Sequence, residues 1–222
     1  MYITNEKITD FINAYYKPID EEMAEFRYRC EKDEIPLILR ETEIFFNTFL
    51  ELVKPKRILE IGTAYGYSSS YFAKKLVDSE IHTIEKDSEL VSIAKENFES
   101  LGISDRIRVF QGDASDILDV LRYPGCDNSG EKFYDLVFID AGKSKYREFF
   151  DKSIKLCSHG AALVCDNVLL KASVADNKFD ANRRHRTNIK RMKEFIEYVY
   201  SKNGATTSLI SCGDGLLITI LD

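Results

Sequence analysis

The chain has 222 residues, 44% hydrophobic and 31% charged, with 31 Lys plus Arg against 37 Asp plus Glu and a formal charge of −6. This length supports one domain around a single large core and excludes a mini-protein that needs staples to stay folded. Plentiful Tyr, Phe and branched aliphatics exclude wholesale disorder, and the negative balance means that a nucleic-acid role would have to rest on a local basic patch.

Met1 to Lys17 alternates polar and apolar residues and shows no signal-peptide core, and no apolar run approaches the ~18–20 residues of a membrane span. The chain therefore reads as cytoplasmic, without membrane contact. Its first 55 residues read as helical throughout, with Ile8, Phe11, Ile12 and Tyr15 at helical spacing. A second run, Ile38, Phe45, Phe49 and Leu52, is opened by Pro36.

From Arg57 the texture changes. Short β-branched runs at 57–61, 81–84, 106–110, 135–139 and 161–165 alternate with helical patterns at 68–76, 88–101 and 145–156. Alternation of this kind predicts right-handed βαβ units and a parallel sheet covered on both faces. The end breaks the rhythm: 207–211, the turn Cys212-Gly-Asp-Gly215 and 216–221 read as a hairpin, so the sheet should be mixed. Tyr123 to Lys132 is the richest stretch in turn residues and reads as a surface connection. The expected layout is one domain, with 1–55 a helical extension and 56–222 an α/β core. Five cysteines (Cys30, Cys126, Cys157, Cys165, Cys212) without a C-x-x-C pair read as reduced thiols, Cys165 as a core residue on a strand.

The strongest local signal is Leu59-Glu-Ile-Gly-Thr-Ala-Tyr-Gly-Tyr-Ser68, where the first strand meets its helix. Gly62 and Gly66 allow a sharp turn and close approach of a ligand to the main chain, while helix N-terminal amides face the same crevice. The spacing is not that of a dinucleotide site or a P-loop, and Glu60 disfavours a phosphate. Glu85 ends the second strand, 19 residues beyond Gly66, where a carboxylate can accept both hydroxyls of a ribose. Asp113, with the Ala114 amide beside it, stands where it can reach an adenine amino group. Either acid can instead simply cap the next helix, but with the glycine turn a nucleoside is the favoured reading.

Asp140, Asp166 and Asn167 follow two successive apolar strands, so three oxygen donors converge at neighbouring strand ends. Hard donors without His or Cys suit Mg²⁺, or Mn²⁺ or Ca²⁺, better than Zn²⁺; helix capping is the bland alternative. Lys143, three residues past Asp140, is a candidate general base if a cation lies near, or else a solvated lysine. His82 and His159 read as structural or surface residues.

Together with Phe138-Ile-Asp-Ala-Gly-Lys143 and Cys165-Asp-Asn-Val168, the glycine run and Glu85 resemble the cation-dependent O-methyltransferases of the catechol and caffeoyl-CoA type. The resemblance implies a class I, Rossmann-like methyltransferase fold: a doubly wound, seven-stranded mixed sheet with N-terminal helices and a C-terminal hairpin. It implies S-adenosylmethionine held around Glu60, Gly62, Gly66, Ser68, Glu85, Asp113, Ala114 and Asp140, and a divalent cation on Asp140, Asp166 and Asn167. Lys143 falls where the family has its catalytic lysine, with Asp140 beside it. A homodimer is the expected assembly.

Asp166 to Asp176 and Arg183-Arg-His-Arg-Thr187 are similar to the bacterial branch that methylates 5-hydroxyuridine at the tRNA wobble position. The physical counterpart is a run of six Lys or Arg and no acid over residues 183–193. Arg183, Arg184 and Arg186 could bind an anticodon backbone, or open a solvated helix paired with Glu194 and Glu197. The alternative acceptor is a small catechol-like phenol. Phe179, Tyr146 and Tyr65 are candidates to stack on a base or ring.

Overall fold

The computed structural model describes residues 5–121, 133–176, 179 and 186–222. Three helices come first: α1 (Glu6–Asn13), α2 (Glu21–Lys32) and α3 (Arg40–Val53). The extension is thus not helical throughout. Pro18 and Pro36 fall in its two breaks, where a ring without an N–H bars the helical ladder. Asn5 and Asp20 cap α1 and α2 with their side chains, whereas α3 starts at Arg40, later than Pro36 suggests, after an uncapped Leu39.

The core then alternates: β1 (Arg57–Ile61), α4 (Tyr67–Lys75), β2 (Glu80–Glu85), α5 (Ser88–Ser100), β3 (Ile107–Gln111), α6 (Ala114–Val120), β4 (Tyr134–Ile139), α7 (Tyr146–Ile154) and β5 (Cys157–Cys165). After α8 (Arg186–Tyr200), β6 (Ala205–Ile210) and β7 (Leu216–Leu221) form the hairpin. The described strands make one seven-stranded sheet in the order β3-β2-β1-β4-β5-β7-β6. β1 to β5 are parallel, and β7 runs antiparallel to both β5 and β6. The chain reverses its winding between β1 and β4, which opens a crevice beyond their carboxyl ends.

Strand periodicity divides the core in two. Ile58, Ile81, Leu136, Phe138 and Val164 face α2 to α5, while Leu59, Ile84, Val137, Ile139 and Leu163 face α6 to α8. On the first face Phe138 meets Phe46 of α3 and Phe72 of α4 edge-to-face, at centroid distances of 5.2 and 5.7 Å. The helical spacing read in α1 is real, but its apolar side is not buried within the chain: Phe11 and Tyr15 are 65% and 68% exposed. Among the described residues Cys30, Cys157, Cys165 and Cys212 form no disulfide, Cys165 is buried on β5, and no helix is long and apolar enough to cross a membrane. The Tyr123–Lys132 connection lies outside the described residues.

Phe138 joins the N-terminal helices to the central strand. Phe138→Ala should lower unfolding free energy by about 3–5 kcal/mol, read from urea denaturation; a loss below about 1 kcal/mol would show that α3 and α4 do not depend on this ring.

Candidate active site

β1 ends against β4, where the Asp140 amide donates to the Ile61 carbonyl at 3.0 Å. Gly62 follows with φ 105°, and a Cβ there would overlap the Asp140 carbonyl oxygen. Gly66, φ 80°, precedes α4, and a Cβ there would run into the Phe98 ring. Both glycines are therefore dictated by close approach as well as by backbone angle. The turn between them leaves a cavity of about 310 Å³, walled by Ile61, Gly62, Glu85, Asp113, Ala114 and Asp140 among others.

Glu85 lies where the sequence places it. Its Oε2 accepts from the Ala64 amide at 3.0 Å and its Oε1 from the amides of Lys86 and Asp87 at 2.9 and 3.0 Å. These bonds fix the carboxylate in the cavity wall. Asp113 caps α6 through the Ser115 amide at 2.9 Å, the bland reading of it, and also lines the cavity. Lys145, which sequence reasoning missed, donates to both Asp113 oxygens at 3.0 Å and holds that carboxyl below its ordinary range. No local pattern announces this pair, because its members are 32 residues apart.

Glu60 and Ser68, expected around the donor, are not in the cavity wall, and neither is Gly66. Glu60 is fully buried between β1 and α4, where it accepts from the hydroxyls of Ser68, Ser69 and Thr83. Burial pushes its carboxyl up to about 7 despite the three hydroxyls that favour the charge. The ring of hydroxyls makes Glu60 a brace between strand and helix.

Beside the cavity the acceptor-side residues do come together. Asp140 Oδ1 accepts from the Asn167 amide at 3.0 Å and from Lys143 Nζ at 3.2 Å. Lys143 also donates to the Tyr146 hydroxyl at 2.7 Å, and that hydroxyl donates to the Asp166 carbonyl at 2.8 Å. Tyr146 is fully buried against Phe195, so it positions Lys143 and cannot stack on a base or ring as expected from sequence. Asp166 is 2% exposed, and its Oδ1 accepts from the Asn167 amide nitrogen of the backbone at 2.6 Å. Burial and the Asp140 charge push the Asp166 carboxyl up to about 8.

The cavity wall is formed beyond β1, β2, β3 and β4; the end of β5, with Asp166 and Asn167, lies outside that wall. Asp140 belongs to both places. Arg183 and Arg184 lie outside the described residues, while Arg186 is exposed at the start of α8 with Lys190 and Arg191. Lys190 pairs with Glu194 at 3.7 Å. Phe179 and Tyr65 are partly buried. His82 is structural: buried in β2, it bonds the Tyr134 hydroxyl at 2.7 Å and Glu80 at 3.0 Å, and His159 is exposed.

A profile of the O-methyltransferase family matches residues 11–221. A catechol O-methyltransferase from Niastella koreensis is 32% identical over 133 residues, which span 60% of this chain and 58% of that one. A candidate caffeoyl-CoA O-methyltransferase from Staphylococcus aureus superimposes with a TM-score of 0.83 at 29% identity, over 97% of this chain and 98% of that one. TomG from Streptomyces achromogenes, an O-methyltransferase solved in complex with S-adenosylmethionine, gives a TM-score of 0.80 at 25% identity over 97% and 96% of the two chains. The chain belongs to the O-methyltransferase family.

Glu60 makes a pH-dependent contribution to stability. Its folded value of about 7 lies above the ordinary 4.5, so the folded chain binds the extra proton. The stabilisation is complete below the unfolded value and is lost as pH rises through the folded one. Glu60→Gln keeps a side-chain acceptor and removes the charge, so its melting temperature relative to the parent should climb between pH 5 and pH 8. Parallel melting profiles over that range would contradict a buried, titrating Glu60.

Proposed function

We propose that the chain transfers the sulfonium methyl group of S-adenosylmethionine to an acceptor oxygen with the help of a divalent cation. The acceptor we propose is 5-hydroxyuridine at the tRNA wobble position, giving 5-methoxyuridine. The observation that carries the reaction is Asp140, which walls the donor cavity and also holds Asn167 and Lys143.

The donor set fits a hard cation. Asp166 is a buried carboxyl whose protonation is favoured by the Asp140 charge, and a cation between such carboxylates relieves both burial and repulsion. Asn167 donates to Asp140 in the structure, and a half-turn of its amide presents the oxygen instead. Among the described residues no three His, Cys, Asp or Glu side chains gather as a ligand set, and the trio has two carboxylates and an amide. Mg²⁺, Mn²⁺ or Ca²⁺ bound by Asp140, Asp166 and Asn167 would lower the pKa of a hydroxyl chelated together with a neighbouring oxygen.

The chain's own residues do the rest. Glu85, fixed by three backbone amides, accepts the ribose hydroxyls, and Asp113 with the Ala114 amide faces the base. Lys143 Nζ, held between Asp140 and Tyr146, stands to take up the proton that the acceptor oxygen gives up as the methyl group moves to it and S-adenosylhomocysteine leaves, and the ammonium so formed stays paired with Asp140.

Support for a tRNA acceptor comes from α8. Its Phe195 packs on Tyr146, the residue that holds Lys143, and its opening turns expose Arg186, Lys190 and Arg191. A cationic start on the helix that packs against Tyr146, in a chain of charge −6, suits a phosphate backbone. The likeness to a catechol O-methyltransferase favours a second reading, a small catechol-like phenol. The 5-oxygen and 4-carbonyl of 5-hydroxyuridine reproduce the adjacent oxygens of a catechol, so one chemistry serves both.

Asp140→Ala should lower kcat by at least ~100-fold on any acceptor, because several kcal/mol of charge stabilisation are lost. Full activity in this variant, or with a chelator present, would remove the cation. Charge reversal at Arg183, Arg184 and Arg186 should reduce the log–log salt slope of tRNA binding by about two to three and spare methylation of a free catechol. Equal effects on both substrates would leave the phenol as the acceptor.

A further inference from the structure

Past Asn167 the main chain takes a course that L-residues avoid. Asn167 has φ 58°, and Leu170, Lys171 and Ala172 follow with φ 47°, 52° and 67°. Three consecutive left-handed residues, none of them glycine, amount to a left-handed turn that the surroundings must impose. The imposing element is the turn between β6 and β7. The Val168 amide donates to the Gly215 carbonyl at 3.1 Å and the Leu169 amide to the Asp214 carbonyl at 3.0 Å. The Lys171 amide, in the middle of the left-handed run, donates to Asp214 Oδ1 at 2.5 Å.

The receiving turn is itself clamped. A Cβ on Gly215 would overlap Leu169, and one on Gly213 would overlap the Thr42 hydroxyl. On the other side the Cys212 thiol donates to the Glu41 carbonyl at 3.2 Å. Asp214 thus stands on a support that reaches back to α3, and its side chain grips the strained run directly.

We infer that Asp214 is a positioning residue for the acceptor side of the site: by holding the Lys171 amide it fixes the left-handed turn 170–172 and, through it, the Asn167 side chain beside Asp140. Asp214 touches no reacting atom in this scheme. The inference rests on the reading of Asp140, Asp166 and Asn167 as cation ligands.

The test is Mn²⁺ binding to the full chain saturated with S-adenosylhomocysteine, followed by the electron paramagnetic resonance of free Mn²⁺. Asp214→Ala should weaken Mn²⁺ by about 10-fold or more, the usual effect of losing a group that orients a ligand. Its affinity for S-adenosylhomocysteine should stay unchanged, because Glu85 and Asp113 are held by other bonds. Asp214→Asn, which keeps the acceptor oxygen, should bind Mn²⁺ like the parent. Lys171→Gly relieves the left-handed strain and should restore part of the affinity in the Asp214→Ala background; this double variant also serves if Asp214→Ala alone does not fold. Parental Mn²⁺ affinity in Asp214→Ala would overturn the inference, as would equal losses in Asp214→Ala and Asp214→Asn. If the parent chain itself binds no Mn²⁺, the ligand reading fails and the inference falls with it; parental binding with an unaffected Asp214→Ala overturns the inference alone.

Discussion

The site depends on how closely two strands end. The Asp140 amide is bonded to the Ile61 carbonyl, and the next residue, Gly62, passes so near the Asp140 carbonyl that a methyl group would not fit. Sheet winding brings β1 and β4 together as neighbours in space although 72 residues separate Asp140 from Ser68, the last residue of the glycine run. The consequence is chemical. One carboxylate at the crest of β4 closes the donor cavity on one side and receives Asn167 and Lys143 on the other. A donor and an acceptor placed on either side of a single residue need no further device to be neighbours, and that proximity is a large part of what an enzyme supplies to a transfer between two bound molecules.

Around this junction the protein buries several charges and satisfies each by a different route. Glu60 is ringed by hydroxyls, which donate without carrying charge, so burial wins and its carboxyl rises to about 7. Arg27 and Glu43 are paired, with Nη2 to Oε2 at 2.5 Å, and Tyr67 at the head of α4 accepts from Arg27 and donates to Glu43. Such a pair contributes little net stability against apolar residues of the same shape, but it tolerates few alternative arrangements. Its position explains its use: it fastens α2 and α3 to the helix that begins next to Gly66. Asp166 accepts from a backbone amide and lies beside the like charge of Asp140, and it is one of the ligands proposed for the cation.

The alternation of strands and helices was legible because burial on both faces of a parallel strand demands runs such as Leu136-Val-Phe-Ile139, which no other element requires. Gly62, Glu85 and Asp140 were legible because crevice residues cluster at strand ends. What escaped were contacts made by topology alone. Lys145 meets Asp113 across two elements, and Tyr146 looked like a free aromatic because helical spacing does not tell a ring turned inward from one turned to solvent. Glu60 was misplaced for the converse reason. It lies in the motif that shapes the crevice, yet strand alternation sends its side chain to the opposite side from Ile61, toward α4 and away from the cavity. The breaks in the N-terminal helices were signalled by Pro18 and Pro36, and the exposed side of α1 shows that periodicity reports helix, not what the helix covers.

The chemistry at Asp140 also limits where specificity can reside. A cation held as proposed by two carboxylates and an amide would recognise a pair of adjacent oxygens and nothing beyond them, so it would treat a catechol and a 5-hydroxyuridine alike. Discrimination must come from parts that touch the remainder of the acceptor. In this chain a part that differs in character from the apolar core is the start of α8, with Arg186, Lys190 and Arg191 exposed on a helix whose Phe195 packs on Tyr146. A neutral phenol gains nothing from those charges, whereas a polyanion releases counterions to each of them. On the proposed reading the same reaction centre could serve acceptors of very different size, with the choice made by a helix that takes no part in the methyl transfer.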